Sequence, residues 1–128
     1  MAARFAATWA RTFGLADDRV ARLELAVEEV VANIARHAYS DLGGPVTVEV
    51  RRKDGRVQVL VGDQGPPFDP VASGPPTLGD TLEERELGGL GIRMILSFVD
   101  DVRYERTSEG NVLVLTCNTG PAPGEHLP

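Results

Sequence analysis

Apolar residues recur along this chain with two different periods, which predict helices in some segments and strands in others. Near the start, Phe5, Trp9 and Phe13 recur every four residues. They therefore lie on one side of a helix that ends at Gly14, and we expect these rings to pack in the core. A second apolar stripe predicts a helix that follows Asp17, whose side chain we expect to cap it, and that runs to about residue 39. Its members are Leu23, Val27, Val30 and Ile34.

A period of two predicts strands in "VTVEV" and "VQVLV", on either side of "KDGR". The Asp54-Gly55 pair in that segment favours a tight hairpin turn. "DVRYER" and "NVLVLTC" flank "TSEG" and predict a second hairpin. Because "NVLVLTC" is apolar at successive positions, we place it at the centre of the sheet. The elements together predict an α/β (α+β) fold, a two-layer sandwich with helices on one face of a mostly antiparallel mixed sheet.

The segment from Gln64 to Gly91 is rich in glycine and proline, with a short helical pattern at "TLEEREL". Long connections of this kind are usually tied to ligand binding or disorder, so we interpret it as a mobile lid over about residues 70–88. A third apolar stripe then predicts a helix, formed by Ile92, Ile95, Leu96 and Val99. The expected domain spans residues 1–118, and residues 119–128 are expected to form a disordered tail because they have little apolar content.

Length and charge narrow the classes of function. A chain of 128 residues corresponds to one domain, and a net charge of -6 disfavours binding to nucleic acid or to anionic membranes. The chain has neither the apolar span of a membrane protein nor the pattern of a signal peptide, so we expect it to be cytoplasmic. Its single cysteine, Cys117, excludes an intramolecular disulfide and is interpreted as a buried structural thiol.

Polar residues on the second predicted helix are candidates for chemistry. Glu29, Asn33 and His37 recur every four residues and form one ridge beside the apolar stripe. Glu28 lies on nearly the opposite side of the helix, so we expect it to be solvated. The alternative is that Glu29 and Asn33 form an ordinary exposed pair.

Two further segments suggest a nucleotide site. In "VGDQGPPFDP" an apolar strand ends in Asp63, whose carboxylate could accept a hydrogen bond from an amino group, while Gly65 would let a flat ring approach the backbone. The alternative is a simple Asp-Gln-Gly turn. In "LGGLGI" three glycines precede a helix, whose free N–H groups would attract phosphate oxygens, although such runs also serve as hinges.

Two common nucleotide-binding arrangements do not fit the sequence. "GGLGI" follows a loop instead of a first strand, and no acidic residue ends a strand about 20 residues later, which argues against a Rossmann fold. Lys53 is the only lysine and lies in a predicted turn, so a phosphate loop containing lysine is absent.

In their order and spacing, "EVVAN", "DQGPPFDP" and "GGLGI" resemble the N-box and the two glycine boxes of the Bergerat-fold (GHKL) ATPases. The fuller run "LELAVEEVVANIARHAY" and "GGLGIRMI" is similar to bacterial anti-sigma factors with serine-protein kinase activity. The resemblance covers about residues 5–116 and implies the Bergerat ATP-binding fold. It also implies ATP or ADP and Mg²⁺ as cofactors, and a sigma factor and its antagonist protein as partners.

The resemblance also implies roles for individual residues. Asn33 would coordinate Mg²⁺, and Glu29 would be the catalytic base that accepts a proton from the attacking hydroxyl. Asp63 and Gly65 would bind the adenine ring. The phosphates would be bound by Gly89, Leu90, Gly91 and Ile92.

The leading hypothesis is an ATP-binding anti-sigma factor that phosphorylates its antagonist on serine or threonine. The alternative is an ATP-binding module that regulates a partner by contact and transfers no phosphate. A histidine kinase is disfavoured because no helix with an acceptor histidine precedes the domain. Family members normally have an edge strand before the first helix, whereas this chain begins at or inside that helix, which leaves homodimer formation open.

Overall fold

The computed structural model describes residues 2–35, 44–67 and 97–119. Two helices, α1 (Ala2–Thr12) and α2 (Asp17–Asn33), precede four strands. The strands are β1 (Val46–Lys53), β2 (Arg56–Asp63), β3 (Asp101–Thr107) and β4 (Gly110–Asn118), in the sheet order β1-β2-β4-β3. All three pairings between them are antiparallel. Both helices contact one face of this sheet, so the predicted two-layer α+β architecture is confirmed.

Both predicted hairpins are present. Asp54 and Gly55 form the first turn with φ values of 51° and 74°, the pair of positive angles that a two-residue hairpin turn of type I′ needs. β3 and β4 form the second hairpin, with their end residues Thr107 and Gly110 paired across the turn. β4 lies between β2 and β3, which confirms the central position predicted from its continuous apolar run.

The core lies between the helices and the inward side of the sheet. α2 and the residue that follows it contribute the stripe predicted from the sequence, with Leu23, Val27 and Val30 in the helix and Ile34 directly after it. β2 and β4 contribute alternate residues, and among the most deeply buried side chains are Val57, Val59, Val61, Leu115 and Cys117. The interpretation of Cys117 as a buried thiol is therefore confirmed, and burial raises its pKa above the ordinary value.

The prediction that the aromatic stripe of the first helix packs in the core was wrong for Phe5 and Trp9, and only Phe13 packs against the core. Phe5 is 46% exposed and Trp9 is 43% exposed, while Phe13 is only partly buried. The buried side of α1 is formed instead by four alanines, Ala3, Ala6, Ala7 and Ala10. These lie about 110° around the helix from the aromatic stripe. Small side chains let α1 approach α2 closely, so the alanines mark the inward side.

The predicted cap of α2 was also wrong. The helix begins at Asp17 itself, and the N-cap residue is Ala16, which makes no side-chain cap bond. Asp17 instead lies in the first turn with Asp18, where negative charge is favoured by the helix dipole. The predicted end near residue 39, most of the third apolar stripe and the lid lie outside the described residues. Within the described ranges no helix combines the length and the apolar character that a membrane crossing requires.

Candidate functional site

A cavity opens between the C-terminal end of α2 and the adjoining ends of β2, β3 and β4. Its enclosed volume is about 20 Å³, and with the open solvent at its mouth the space measures about 340 Å³. Four of the eight residues that line it are apolar, Val30, Ile34, Val61 and Leu113, and the other four are polar, Asn33, Asp63, Tyr104 and Asn111. The structure thus brings Asn33 and Asp63, which belong to separate sequence motifs, to one concave site.

Asn33 is the last residue of α2 and is only 3% exposed. The alternative of an exposed pair is therefore excluded for Asn33. Glu28 is exposed, as predicted from its position on the opposite side of the helix. Glu29 is partly exposed and does not line the cavity; it lies one helical turn before Asn33.

Asp63 ends β2 and is buried at the cavity. Its Oδ1 accepts a hydrogen bond of 2.9 Å from the backbone N–H of Gly65, two residues later. This is the local side-chain-to-backbone turn that aspartate favours, so the simple turn considered from the sequence does exist. The hydrogen bond of this turn occupies one carboxylate oxygen of Asp63, and Asp63 still lines the cavity. Gly65 is buried beside it.

The strand register aligns Asp63 with two further polar residues. Asn111 of β4 pairs with Asp63 on one side and with Arg106 of β3 on the other. Paired residues on one face of a sheet have Cβ atoms about 5 Å apart, close enough for their side chains to interact. Accordingly, the Nδ2 group of Asn111 donates a 2.9 Å hydrogen bond to Oδ1 of Asp63.

Asn111 is the centre of a wider network. Its Oδ1 accepts hydrogen bonds from the Tyr104 hydroxyl at 2.6 Å and from Nη1 of Arg106 at 3.2 Å. Its Nδ2 also donates to the carbonyl of Pro66 at 2.9 Å, and Arg106 donates to the carbonyl of Gly65 at 2.7 Å. The β3–β4 hairpin is thereby joined to the segment that follows β2.

Sequence reasoning missed Asn111, Tyr104 and Arg106. A signal was available, because Tyr104 alternates with Val102 on the inward side of β3 and Asn111 is the only strongly polar inward residue of β4. Gly110 was missed as well. It has φ +139°, and a Cβ there would lie 1.9 Å from the carbonyl oxygen of Asp63. Glycine therefore permits the close approach of β4 to the end of β2.

Several residues of the predicted site lie outside the described ranges. They are His37 on the second helix and the whole second glycine box, Gly89, Leu90, Gly91 and Ile92. Of the predicted nucleotide-binding residues, the structure therefore describes Asn33, Asp63 and Gly65.

Comparison with known families agrees with this geometry. The family model described as histidine kinase-like ATPase domain matches residues 1–117. The chain belongs to this family.

Among curated relatives, this ATPase domain is 30% identical over 119 residues to the serine/threonine-protein kinase BtrW of Bordetella bronchiseptica, covering 88% of this chain and 83% of BtrW. It is 33% identical over 104 residues to the serine-protein kinase RsbW of Bacillus velezensis, covering 77% of this chain and 65% of RsbW. The match thus spans somewhat less than two thirds of that RsbW.

Among solved structures, a blue-light activated histidine kinase of Erythrobacter litoralis superimposes with a TM-score of 0.56 at 24% identity. The match covers 82% of this chain and 32% of the other. At this identity the likeness concerns the fold, which agrees with the α+β sandwich of the ATPase domain.

Proposed function

We propose that this ATPase domain is an ATP-binding protein serine/threonine kinase that acts as an anti-sigma factor. It phosphorylates an antagonist protein and, in its other state, sequesters a cytoplasmic sigma factor and so regulates transcription. Relatives named serine-protein kinases, at about a third identity over most of the chain, support the kinase activity. The observation that carries the proposal is the meeting of Asn33 and Asp63 in one cavity.

The chemistry of the cavity lining suits the base of an adenine nucleotide. Its apolar side chains can pack against a flat ring, and the carboxylate of Asp63 can accept a hydrogen bond from the exocyclic amine. Gly65 has no side chain to obstruct the ring. Asn33 supplies an amide oxygen, the type of ligand that Mg²⁺ prefers. The glycine box from Gly89 to Ile92 is proposed to bind the phosphates through its backbone N–H groups.

In this mechanism the bound Mg²⁺–ATP supplies the phosphoryl group, and the chain positions and activates the acceptor. Glu29 lies one turn from Asn33 and is partly exposed, where the hydroxyl of an acceptor protein can reach it. Its carboxylate would accept the proton as the hydroxyl oxygen attacks the γ-phosphorus of ATP and the bond to the leaving ADP breaks. Asn33 would hold Mg²⁺ through its side-chain oxygen.

Calorimetric titration with Mg²⁺–ATP tests the site. Asp63→Asn and Asn33→Ala should each weaken binding by about 10-fold to 150-fold, the range for hydrogen bonds to charged groups. The effect of Asn33→Ala should shrink when Mg²⁺ is replaced by EDTA, whereas that of Asp63→Asn should persist. Unchanged affinity in both variants would refute the site.

Phosphate transfer from labelled ATP to the antagonist protein of the same switching system tests the chemistry. Glu29→Gln should lower the transfer rate by about 100-fold or more while leaving ATP affinity unchanged, because it removes only the proton acceptor. Glu28→Gln is the matched control, since the neighbouring residue is exposed on the opposite side of α2. It should transfer phosphate at the wild-type rate.

A second candidate function is an ATP-binding module that regulates its partner by contact alone. It is favoured by the position of Glu29, which does not line the cavity that holds Asn33 and Asp63. In that case the wild type would bind ATP, no phosphate would reach the antagonist, and Glu29→Gln would leave sigma-factor regulation intact.

A further inference from the structure

The orientation of the Asn111 side chain is set by its surroundings. A carboxamide has two N–H donors and an oxygen that can accept two hydrogen bonds. Nδ2 faces the two acceptors, Asp63 and the Pro66 carbonyl, and Oδ1 faces the two donors, Tyr104 and Arg106. Rotation of the amide by 180° would bring donors against donors and acceptors against acceptors. One orientation is therefore strongly preferred.

That orientation determines how the carboxylate of Asp63 is used. The hydrogen bonds from Gly65 N–H and from Asn111 both reach Oδ1, each at 2.9 Å. No donor among the described residues reaches Oδ2. Two donors on the same oxygen restrict rotation of the carboxylate and leave Oδ2 to accept a hydrogen bond at the cavity.

We propose that Asn111, held by Tyr104 and Arg106, is a positioning residue that fixes the Asp63 carboxylate and thereby sets the preference for a purine with an exocyclic amino group. This inference rests on the proposed function, since it takes the cavity as the site of the base. Arg106 extends the effect, because it also binds the Gly65 carbonyl and so holds the backbone next to the base.

The preference for adenine follows from the chemistry of the Asp63 carboxylate and of the group at C6 of the purine. An ionised carboxylate accepts hydrogen bonds and cannot donate one. Adenine presents an amino donor at C6, whereas hypoxanthine presents a carbonyl oxygen there, which would oppose a carboxylate oxygen with no proton between them. A fixed carboxylate cannot turn away from that contact. A carboxylate that has lost the Asn111 hydrogen bond can rotate, so the penalty against the carbonyl falls.

The experiment compares the dissociation constants of ATP and ITP by calorimetry, in the presence of Mg²⁺. The wild type should bind ATP at least about 10-fold more tightly than ITP. Asn111→Leu keeps the shape of the side chain and removes its polar atoms, and should lower this ratio by about 10-fold. Tyr104→Phe removes one hydroxyl and should lower it by about threefold.

Thr116→Val is the matched control. Thr116 is a buried polar residue on the same strand, but its side chain bonds to Gln58 at the other end of the sheet and does not line the cavity. A substitution that only loosens the sheet should weaken ATP and ITP equally and leave their ratio unchanged. Circular dichroism and thermal melting check that each variant is folded.

The outcomes separate the inference from the proposed function. If the wild type binds ATP and Asn111→Leu retains the full preference for ATP over ITP, the inference is overturned and the proposed function stands. If the wild type does not bind Mg²⁺–ATP, both fail together. If Asn111→Leu does not fold, Tyr104→Phe decides the question by the same ratio, and an unchanged ratio overturns the inference.

Discussion

Replacement of Gly110 by alanine should damage both the stability of the domain and its candidate site. Gly110 opens β4 with φ +139°, in the region that residues with a Cβ rarely adopt. A Cβ at this position would lie 1.9 Å from the carbonyl oxygen and 2.9 Å from the carbonyl carbon of Asp63. Both are backbone atoms, so no side-chain rotation can relieve the contact, and the strand end itself must shift.

Two terms contribute to the loss of stability. Backbone strain costs about 1–3 kcal/mol, and overpacking in a tight region costs about 1–3 kcal/mol, which together give about 2–6 kcal/mol. This is a large share of the roughly 5–15 kcal/mol that stabilises a typical domain. Gly14→Ala is the matched control, because Gly14 has φ +102° but a Cβ there would meet nothing within 4 Å. Gly14→Ala should therefore lose only the stability that backbone strain costs.

Urea unfolding of the wild type, Gly110→Ala and Gly14→Ala measures the difference in their free energies of unfolding. Gly110→Ala should be less stable than Gly14→Ala by about 1–3 kcal/mol, the contribution of the contact with Asp63. In buffer without urea, at a temperature where the variant is folded, it should also bind Mg²⁺–ATP more weakly than the wild type, because the strand end that carries Asp63 has moved. Equal losses of stability in the two variants would show that the close approach is relieved without cost, and the reasoning would be wrong.

Two other predictions follow from burial and charge. Leu23→Ala should cost about 2–5 kcal/mol in urea unfolding, because Leu23 is fully buried, whereas Leu25→Ala on the same helix should cost less than about 1 kcal/mol, because Leu25 is 46% exposed. For Asp100, a hydrogen bond from the Asn118 backbone N–H and another from Arg19 lower the pKa of the carboxyl below its ordinary value of 3.8. A lowered folded-state pKa means that the carboxylate stabilises the fold above that ordinary value and that this stabilisation is lost as the pH falls through the folded-state pKa. Asp100→Asn should therefore be less stable than the wild type at neutral pH, and the gap should close in acid; a gap that is independent of pH would contradict this explanation.

The sheet could be predicted because its signals are local. Alternation within "VTVEV" and "VQVLV", with Asp54-Gly55 between them, specifies both the strands and the type of turn. The continuous apolar run of β4 also indicated a central position, because even the outer face of a central strand is partly covered. The ridge on α2 correctly singled out Asn33 as a residue beside the core.

Other features depend on tertiary packing and could not be predicted from local pattern. The aromatic residues of α1 form the more conspicuous stripe, yet the alanines are buried, because the close contact between α1 and α2 favours small side chains. Strand alternation could place Asn111 on the inward side, but its bond to Asp63 and the bond of Arg106 to Gly65 join residues 48 and 41 positions apart, and such pairings leave no periodic signal in the sequence.

The register connects the apolar core to the polar site. On the inward side of the sheet, Val59 pairs with Leu115 and Val61 with Leu113, and the next inward pair along the same strands is Asp63 with Asn111. A slip of one residue would move every inward side chain of a strand to the outer face, so burial of the apolar pairs strongly favours a single register. That register in turn brings the carboxylate and the carboxamide within hydrogen-bonding distance. Burial of the apolar core therefore helps to fix the orientation of the carboxylate that we propose binds the base, which explains how two strands can position polar side chains beyond their apolar pairs.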